Sequence, residues 1–452
     1  MPTQRPKHLV AAILTAALLG AAWSSGLETI ELDAYRATFD PNQTFTVTEG
    51  ELDCTPFGGP ATVRVTETSG RLGEADYVIF QPADWNGDVV LFGHGADSPF
   101  IPSGTFWFPL PLGFGSQYVD MFFVQARDAA LCHGFAWAAS ASVRYGIAVE
   151  DLMRSTHLLG ALASHHLAAV PNHTFVTGVG TGGLSALALA ESYPHRYAGA
   201  IVVDALIGGM RMGIDTVMHA ASLFDVIFPD LVEHERQRGM TPPEFAAFAE
   251  AFQARVQADP TALQRMATIH LPGSERYDPE GVGHPLLLPD PTAPDASAAF
   301  MSLGENAVML MWNYLVLGED VRTRGGGAFA GDNQHVVYRG EGWSPEDLVD
   351  LNARVPRYAA DPLAVRYWTF HYEPSGALQI PLVSIRPPWG VYSEHVWAYA
   401  DRVRRSGATE LYSDWHIPNA EQFVPRQNLA TALLALADWA ETGVRPTWPT
   451  AP

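Results

Sequence analysis

Gly178-Val179-Gly180-Thr181-Gly182-Gly183 decides how the rest of the chain is read. The apolar run Thr174 to Val179 enters it as a strand and the Ala/Leu-rich run Leu184 to Tyr193 leaves it as a helix, so the glycines mark a sharp strand-to-helix turn. Glycine adopts positive φ without steric cost and lets two backbones approach closely. At the peak of the turn stands Gly180, which carries no side-chain oxygen.

Upstream, Ala61 to Thr66, Tyr77 to Gln81 and Asp88 to Phe92 read as strands, the last stopping at Gly93-His94-Gly95. A loop rich in Pro, Phe and Gly follows (Ile101 to Gly115), then apolar runs at Met121 to Gln125 and Phe135 to Ala139 and a helix from about Ala148 to Leu167. Downstream, Ala200 to Val203 reads as a buried strand ending in Asp204. Alternating strands and helices over the first 205 residues predict an α/β fold with a mostly parallel, doubly wound sheet.

From 206 to 377 the periodicity turns helical, with a capping box at Thr241-Pro242-Pro243-Glu244, which predicts an inserted helical cap. Its loop at Pro272 to Pro294 suits a lid, and the Met-rich stripe Met301 to Leu315 reads first as core packing. Strand and helix then resume at Ile380 to Ile385, Val396 to Arg405, Glu410 to Ser413 and Gln427 to Glu441. The expected division is a core over 26–205 and 378–445, a cap over 206–377 and a loose tail over 446–452.

The balance of 27 Lys+Arg against 49 Asp+Glu, a formal charge of -22, repels nucleic acid and anionic lipid, and nucleic acid is excluded as a partner. Residues 1–25 carry Arg5 and Lys7, an apolar run from Leu9 to Trp23 and then Ser24-Ser25-Gly26, the pattern of a signal peptide. The run is short for a stable membrane span, so export to a periplasmic or secreted location is expected. Cys54 and Cys132 are the two cysteines, and in an exported chain an even pair predicts a disulfide. No histidine or cysteine pair has liganding spacing, so no metal site and no cofactor are expected.

Taken together, Trp85-Asn86-Gly87 before a strand ending in His94-Gly95, the glycine turn, Tyr193-Pro194-His195-Arg196 leading into Ala200 to Asp204, and His416 beyond the last strand give a chain that resembles the α/β-hydrolase superfamily. The likeness is to exported bacterial esterase-like members with a large cap. It implies a nucleophile at position 180, a base at His416 and an acid after a late strand. It also implies an oxyanion hole from the backbone N–H of Thr181 and of Gly95 or Ala96. Two departures stand out: Gly180 replaces the serine, and Ile385-Arg386-Pro387-Pro388-Trp389-Gly390-Val391 carries no carboxylate where one is expected, leaving Glu394 or Asp204 as acid candidates.

Three functional readings follow. The first is a degenerate serine-hydrolase site that binds a small, partly apolar ligand. The second is a working ester or amide hydrolase that uses Thr181, or a water activated by His416, as nucleophile. The third takes Gly178, Gly180 and Gly183 as a G-x-G-x-x-G dinucleotide fingerprint, with Asp204 ending the next strand.

Overall fold

A computed structural model describes residues 45–72, 75–93, 117–140, 146–232, 239–273, 285–287, 295–371, 373–386, 393–417 and 426–448. The expected signal peptide, the loop residues Gly95 and Ala96, Trp389-Gly390 and most of the Pro272 to Pro294 loop lie outside them.

A nine-stranded sheet forms the centre: β1 (Phe45–Asp53), β2 (Thr62–Leu72), β3 (Ala75–Pro82), β4 (Val89–Gly93), β5 (Ala136–Ser140), β6 (Thr174–Gly180), β7 (Gly199–Ala205), β8 (Leu382–Arg386) and β9 (Tyr412–His416). Its spatial order is β1-β2-β3-β5-β4-β6-β7-β8-β9. The pairs from β1 to β5 along that order are antiparallel, and all those from β5 to β9 are parallel. This is the expected mostly parallel, doubly wound sheet of an α/β-hydrolase fold. β1 was not foreseen: its nine residues are almost wholly exposed, so no buried apolar face marks it in the sequence.

The helices flanking the sheet are α1 (Gln117–Cys132), α2 (Val149–His166), α3 (Thr181–Ser192), α11 (Ser393–Ser406) and α12 (Arg426–Thr442). The apolar run at Met121 to Gln125 belongs to α1 rather than to a strand. Between β7 and β8 lie α4 (Met210–Ile227), α5 (Pro242–Ala258), α6 (Pro260–Ala267), α7 (Ala296–Leu315), α8 (Gly318–Arg324), α9 (Pro345–Arg354) and α10 (Pro362–Phe370). The foreseen capping box starts α5: the Thr241 N–H and hydroxyl both donate to the Glu244 carboxylate, at 2.8 and 2.9 Å.

Strand alternation divides the core between the two faces of the sheet. Val89 and Leu91 of β4 point into one cluster with α2 and α3, and Val90 and Phe92 point into the other with α1 and α12. The first cluster runs on into the helices after β7, where Phe224, Phe245, Phe248, Phe252 and Trp312 pack ring against ring. Most of the Met-rich stripe on α7 is buried there, although Met301 is 61% exposed.

Cys54 and Cys132 form the expected disulfide, with Cα atoms 5.4 Å apart, and both are buried in the second cluster. The bond ties the segment after β1 to the end of α1. We expect Cys54→Ser with Cys132→Ser to cost roughly 2–4 kcal/mol, because the bridge spans a long loop that the unfolded chain would otherwise explore freely. A melting midpoint unchanged by the double substitution would refute this.

The expected loose tail needs correcting at its described end. Trp448 stacks on Trp415 with ring centroids 4.6 Å apart, and its indole N–H donates to Ser413 Oγ at 2.8 Å. A large ring with one donor finds both an apolar face and an acceptor on β9, which anchors the residue.

Candidate functional site

The turn after β6 has the shape expected of it. Gly180 has φ 57° and ψ −122°, a conformation that L side chains rarely adopt, and Thr181 opens α3 directly after it. The flanking glycines are fixed by packing. A Cβ on Gly178 would run into the Gly182 carbonyl and stand 2.7 Å from Gly183 N, and one on Gly183 would strike Ala205 Cβ. Gly180 differs: apart from its chain neighbours, a Cβ built there meets no atom within 4 Å among the described residues.

Thr181 carries the neighbouring side chain. It is only 4% exposed, within the first turn of α3, and its hydroxyl has no hydrogen-bond partner among the described residues. Its backbone N–H lies at the N-terminus of α3, where amides are free to face a ligand oxygen.

His416 is the last residue of β9, one step earlier than the position beyond the strand that the sequence suggested, and it is exposed. Partial loss of hydration, with the nearby Arg386 charge, holds its imidazole below the ordinary value against the pull of Asp414. Neither Glu394 nor Asp204 hydrogen-bonds its ring among the described residues. Asp414 itself is committed to the β8–β9 join, accepting from Ser384 Oγ at 2.8 Å and from Arg386 Nε at 2.9 Å.

Asp204 occupies an irregularity in the ladder. Val179 pairs with Val203 and Gly180 with Ala205, so Asp204 is the extra residue of a bulge and has φ 39°. Bulges re-aim side chains beside functional sites, and here the bulge lies across from the open apex. Asp204 is partly covered, and loss of hydration pushes its carboxyl upward.

Glu394 lies in the first turn of α11, after β8, and is 1% exposed with both carboxyl oxygens unpartnered among the described residues. Burial, reinforced by the Asp204 charge, pushes it up to about 8. His395 escaped the sequence reading because it looks like an ordinary helical histidine. It is wholly buried, its Nδ1 accepts from Gly208 N–H at 3.1 Å, and its Nε2 lies 4.0 Å from Glu394 Oε1. The Leu206 backbone also hydrogen-bonds the ring. Burial pulls the imidazole down to about 3, which keeps it neutral.

An apolar cleft lies between α4 and the cap helices, lined by Ile147, Leu206, Met210, Ile214, Tyr314 and Phe329 among others. It shares a wall with the buried histidine: a Cβ on Gly213 would stand 3.7 Å from His395 Cε1. Among the described residues no cluster of His, Cys, Asp and Glu could hold a metal ion, and no helix is long and apolar enough to cross a membrane.

The glycine turn lies at the point where the sheet order reverses, between β4 and β6, where open α/β sheets bind ligands. A dinucleotide fingerprint follows the first strand of its parallel unit, whereas this turn follows β6, after β4 and β5. That placement counts against the dinucleotide reading.

No protein-family model matches the sequence, and no curated protein matches it significantly. Solved structures similar to this chain include an esterase from Aspergillus oryzae, at 12% identity and TM-score 0.47 over 91% of this chain and 89% of that one. Feruloyl esterase B from Aspergillus oryzae aligns at 13% identity and TM-score 0.41, covering 92% and 91%. Tannin acyl hydrolase from Aspergillus niger aligns at 11% identity and TM-score 0.41, covering 92% and 87%.

Proposed function

We propose that this is an exported α/β-hydrolase-fold protein whose serine-hydrolase chemistry has been lost, and that the cleft beneath its helical cap, over 206–377, serves as a small-ligand site. The observation that carries the reading is the apex residue: Gly180 holds a strained strand-to-helix turn with no side-chain oxygen, and a Cβ there would meet no described atom beyond its chain neighbours. No carboxylate hydrogen-bonds the His416 ring among the described residues, although the Asp414 charge acts on it, and the Thr181 side chain is buried; both support it. Loss of a nucleophile alone typically removes several orders of magnitude in rate. The disulfide between Cys54 and Cys132 suits an oxidising, exported location.

The test is direct. Purified protein should neither be labelled by a fluorophosphonate probe nor turn over p-nitrophenyl acetate. Labelling at Thr181, or turnover abolished by His416→Ala, would establish an active hydrolase and overturn the reading; the second result would point to a water held over Gly180.

Restoring the oxygen separates the missing hydroxyl from the missing base. A serine Cβ at position 180 would meet no atom within 4 Å among the described residues beyond its chain neighbours, at a conformational cost on the order of 1–3 kcal/mol for the positive φ. Gly180→Ser should therefore fold, yet raise ester hydrolysis by no more than about tenfold, since a serine without an oriented base stays a weak nucleophile. A burst of acyl-enzyme formation in the variant would contradict this.

A further inference from the structure

The wall of the apolar cleft defines what it can hold. α4 supplies Met210, Ile214 and Met218, α7 supplies Tyr314, α8 supplies Gly318, and Phe329 stacks on Tyr314 with ring centroids 6.2 Å apart. None of the described residues lining the cleft is Asp, Glu, Lys, Arg or His. Of its polar members, Asn313 donates its amide to the Met309 carbonyl at 2.9 Å within α7. Burial and the Asp225 charge push the Tyr314 phenol above its ordinary value, so it stays neutral.

The charges next to this wall are committed to one another. Asp320, two residues beyond Gly318, accepts from Ile147 N–H at 2.9 Å and from Arg324 Nε at 2.8 Å, and Arg324 also pairs with Asp151 at 3.4 Å. An ionised ligand that left water for the cleft would therefore meet no counter-charge on its lining, a large penalty. A neutral one avoids that penalty and gains by covering hydrocarbon. The lining also favours a ring over a saturated skeleton, because the thioethers of Met210 and Met218 and the Tyr314 and Phe329 rings attract aromatic groups beyond the contact area alone.

We propose that the cleft binds a small, uncharged aromatic molecule, its ring held among Met210, Met218, Tyr314 and Phe329, and that glycine at position 318 keeps the space for it. The assignment rests on the reading of the cleft as a ligand site and names the ligand's class. A Cβ built at Gly318 would stand 3.7 Å from Phe329 Cζ, an ordinary contact. A side chain at 318 would thus lie against the cleft wall without striking the fold around it.

Competition against fluorobenzene, followed through the fluorine resonance of the probe with the whole protein at neutral pH, tests the class. Phenol and cyclohexanol are both neutral there and alike in size, benzoate is an anion and benzylammonium a cation. Fluorobenzene should bind, and phenol should displace it about fivefold more effectively than cyclohexanol. Phenol should also outcompete either ion by about tenfold or more. Gly318→Leu should weaken fluorobenzene by about tenfold or more with a melting midpoint near that of the parent, because its side chain occupies the same space. Should that variant fail to fold, the smaller Gly318→Ala is expected to weaken the probe by about threefold.

Displacement by benzoate or benzylammonium as effective as that by phenol overturns the uncharged class while the cleft remains a ligand site. Equal displacement by cyclohexanol and phenol likewise overturns the aromatic class alone. Fluorobenzene binding that neither Gly318 variant weakens places the ring outside the cleft and overturns the assignment. Binding of none of the five probes overturns the assignment together with the reading of the cleft as a ligand site.

Discussion

Glu394→Gln should raise the denaturation midpoint at pH 8 and leave it close to that of the parent at pH 5. The carboxyl titrates at 4.5 in an ordinary setting and is pushed up to about 8 by burial, so between those values the folded chain holds a proton that the unfolded chain releases. Its contribution to stability is whole below the lower value and is lost as the pH rises through the higher one. The loss amounts to as much as about 4 kcal/mol by pH 8, and glutamine, which has no charge to desolvate, does not incur it. Melting curves at pH 5, 6.5 and 8 check the claim, and parallel pH profiles for the two proteins would sink it. Asp204, also raised by burial, adds to the same alkaline slope. The acid limb has a different origin: His157 and His219 are pulled down to about 4 and His395 to about 3 by burial, so each costs stability as the pH falls below 6.5.

The parallel half of the sheet was legible because its strands are buried on both faces and therefore read as continuous apolar runs. Val89 to Phe92 and Ala200 to Val203 are examples. β1 was not, because an exposed edge strand carries no such pattern. The glycine turn announced its position through composition, since backbone approach and positive φ both demand glycine. The chemistry around it was less visible. His395 sits two residues before Trp397 in an unremarkable helix, and only the folded chain reveals its hydrogen bond from Gly208 N–H and its approach to Glu394. The bulge at Asp204 is equally silent in one dimension, because a register shift is a relation between two strands. Trp448 shows the same limit, since nothing local marks a terminal tryptophan as a partner for Trp415.

The three glycines that look alike in the motif should separate under substitution. Gly178→Ala is expected to cost more than about 4 kcal/mol or to prevent folding, because the new methyl meets backbone atoms of Gly182 and Gly183 that belong to the first turn of α3 and cannot swing aside as a side chain can. Relief would require α3 to lift from the sheet, yet α3 is buried along almost its whole length, with ten of its twelve residues covered. Helix displacement would thus open gaps on both sides of Leu184, Leu187 and Ala188, and the close-packed core resists that. Gly180→Ala meets no atom among the described residues beyond its chain neighbours and carries the penalty of a positive φ, on the order of 1–3 kcal/mol. Soluble yield and melting midpoint of the two variants, compared side by side, decide the matter. Equal loss at both positions would mean that backbone conformation rather than helix–strand contact governs the turn. A large loss at 178 with near-parent behaviour at 180 would mean that the fold has no structural need for glycine at the apex, and that the absent hydroxyl reflects what the site does.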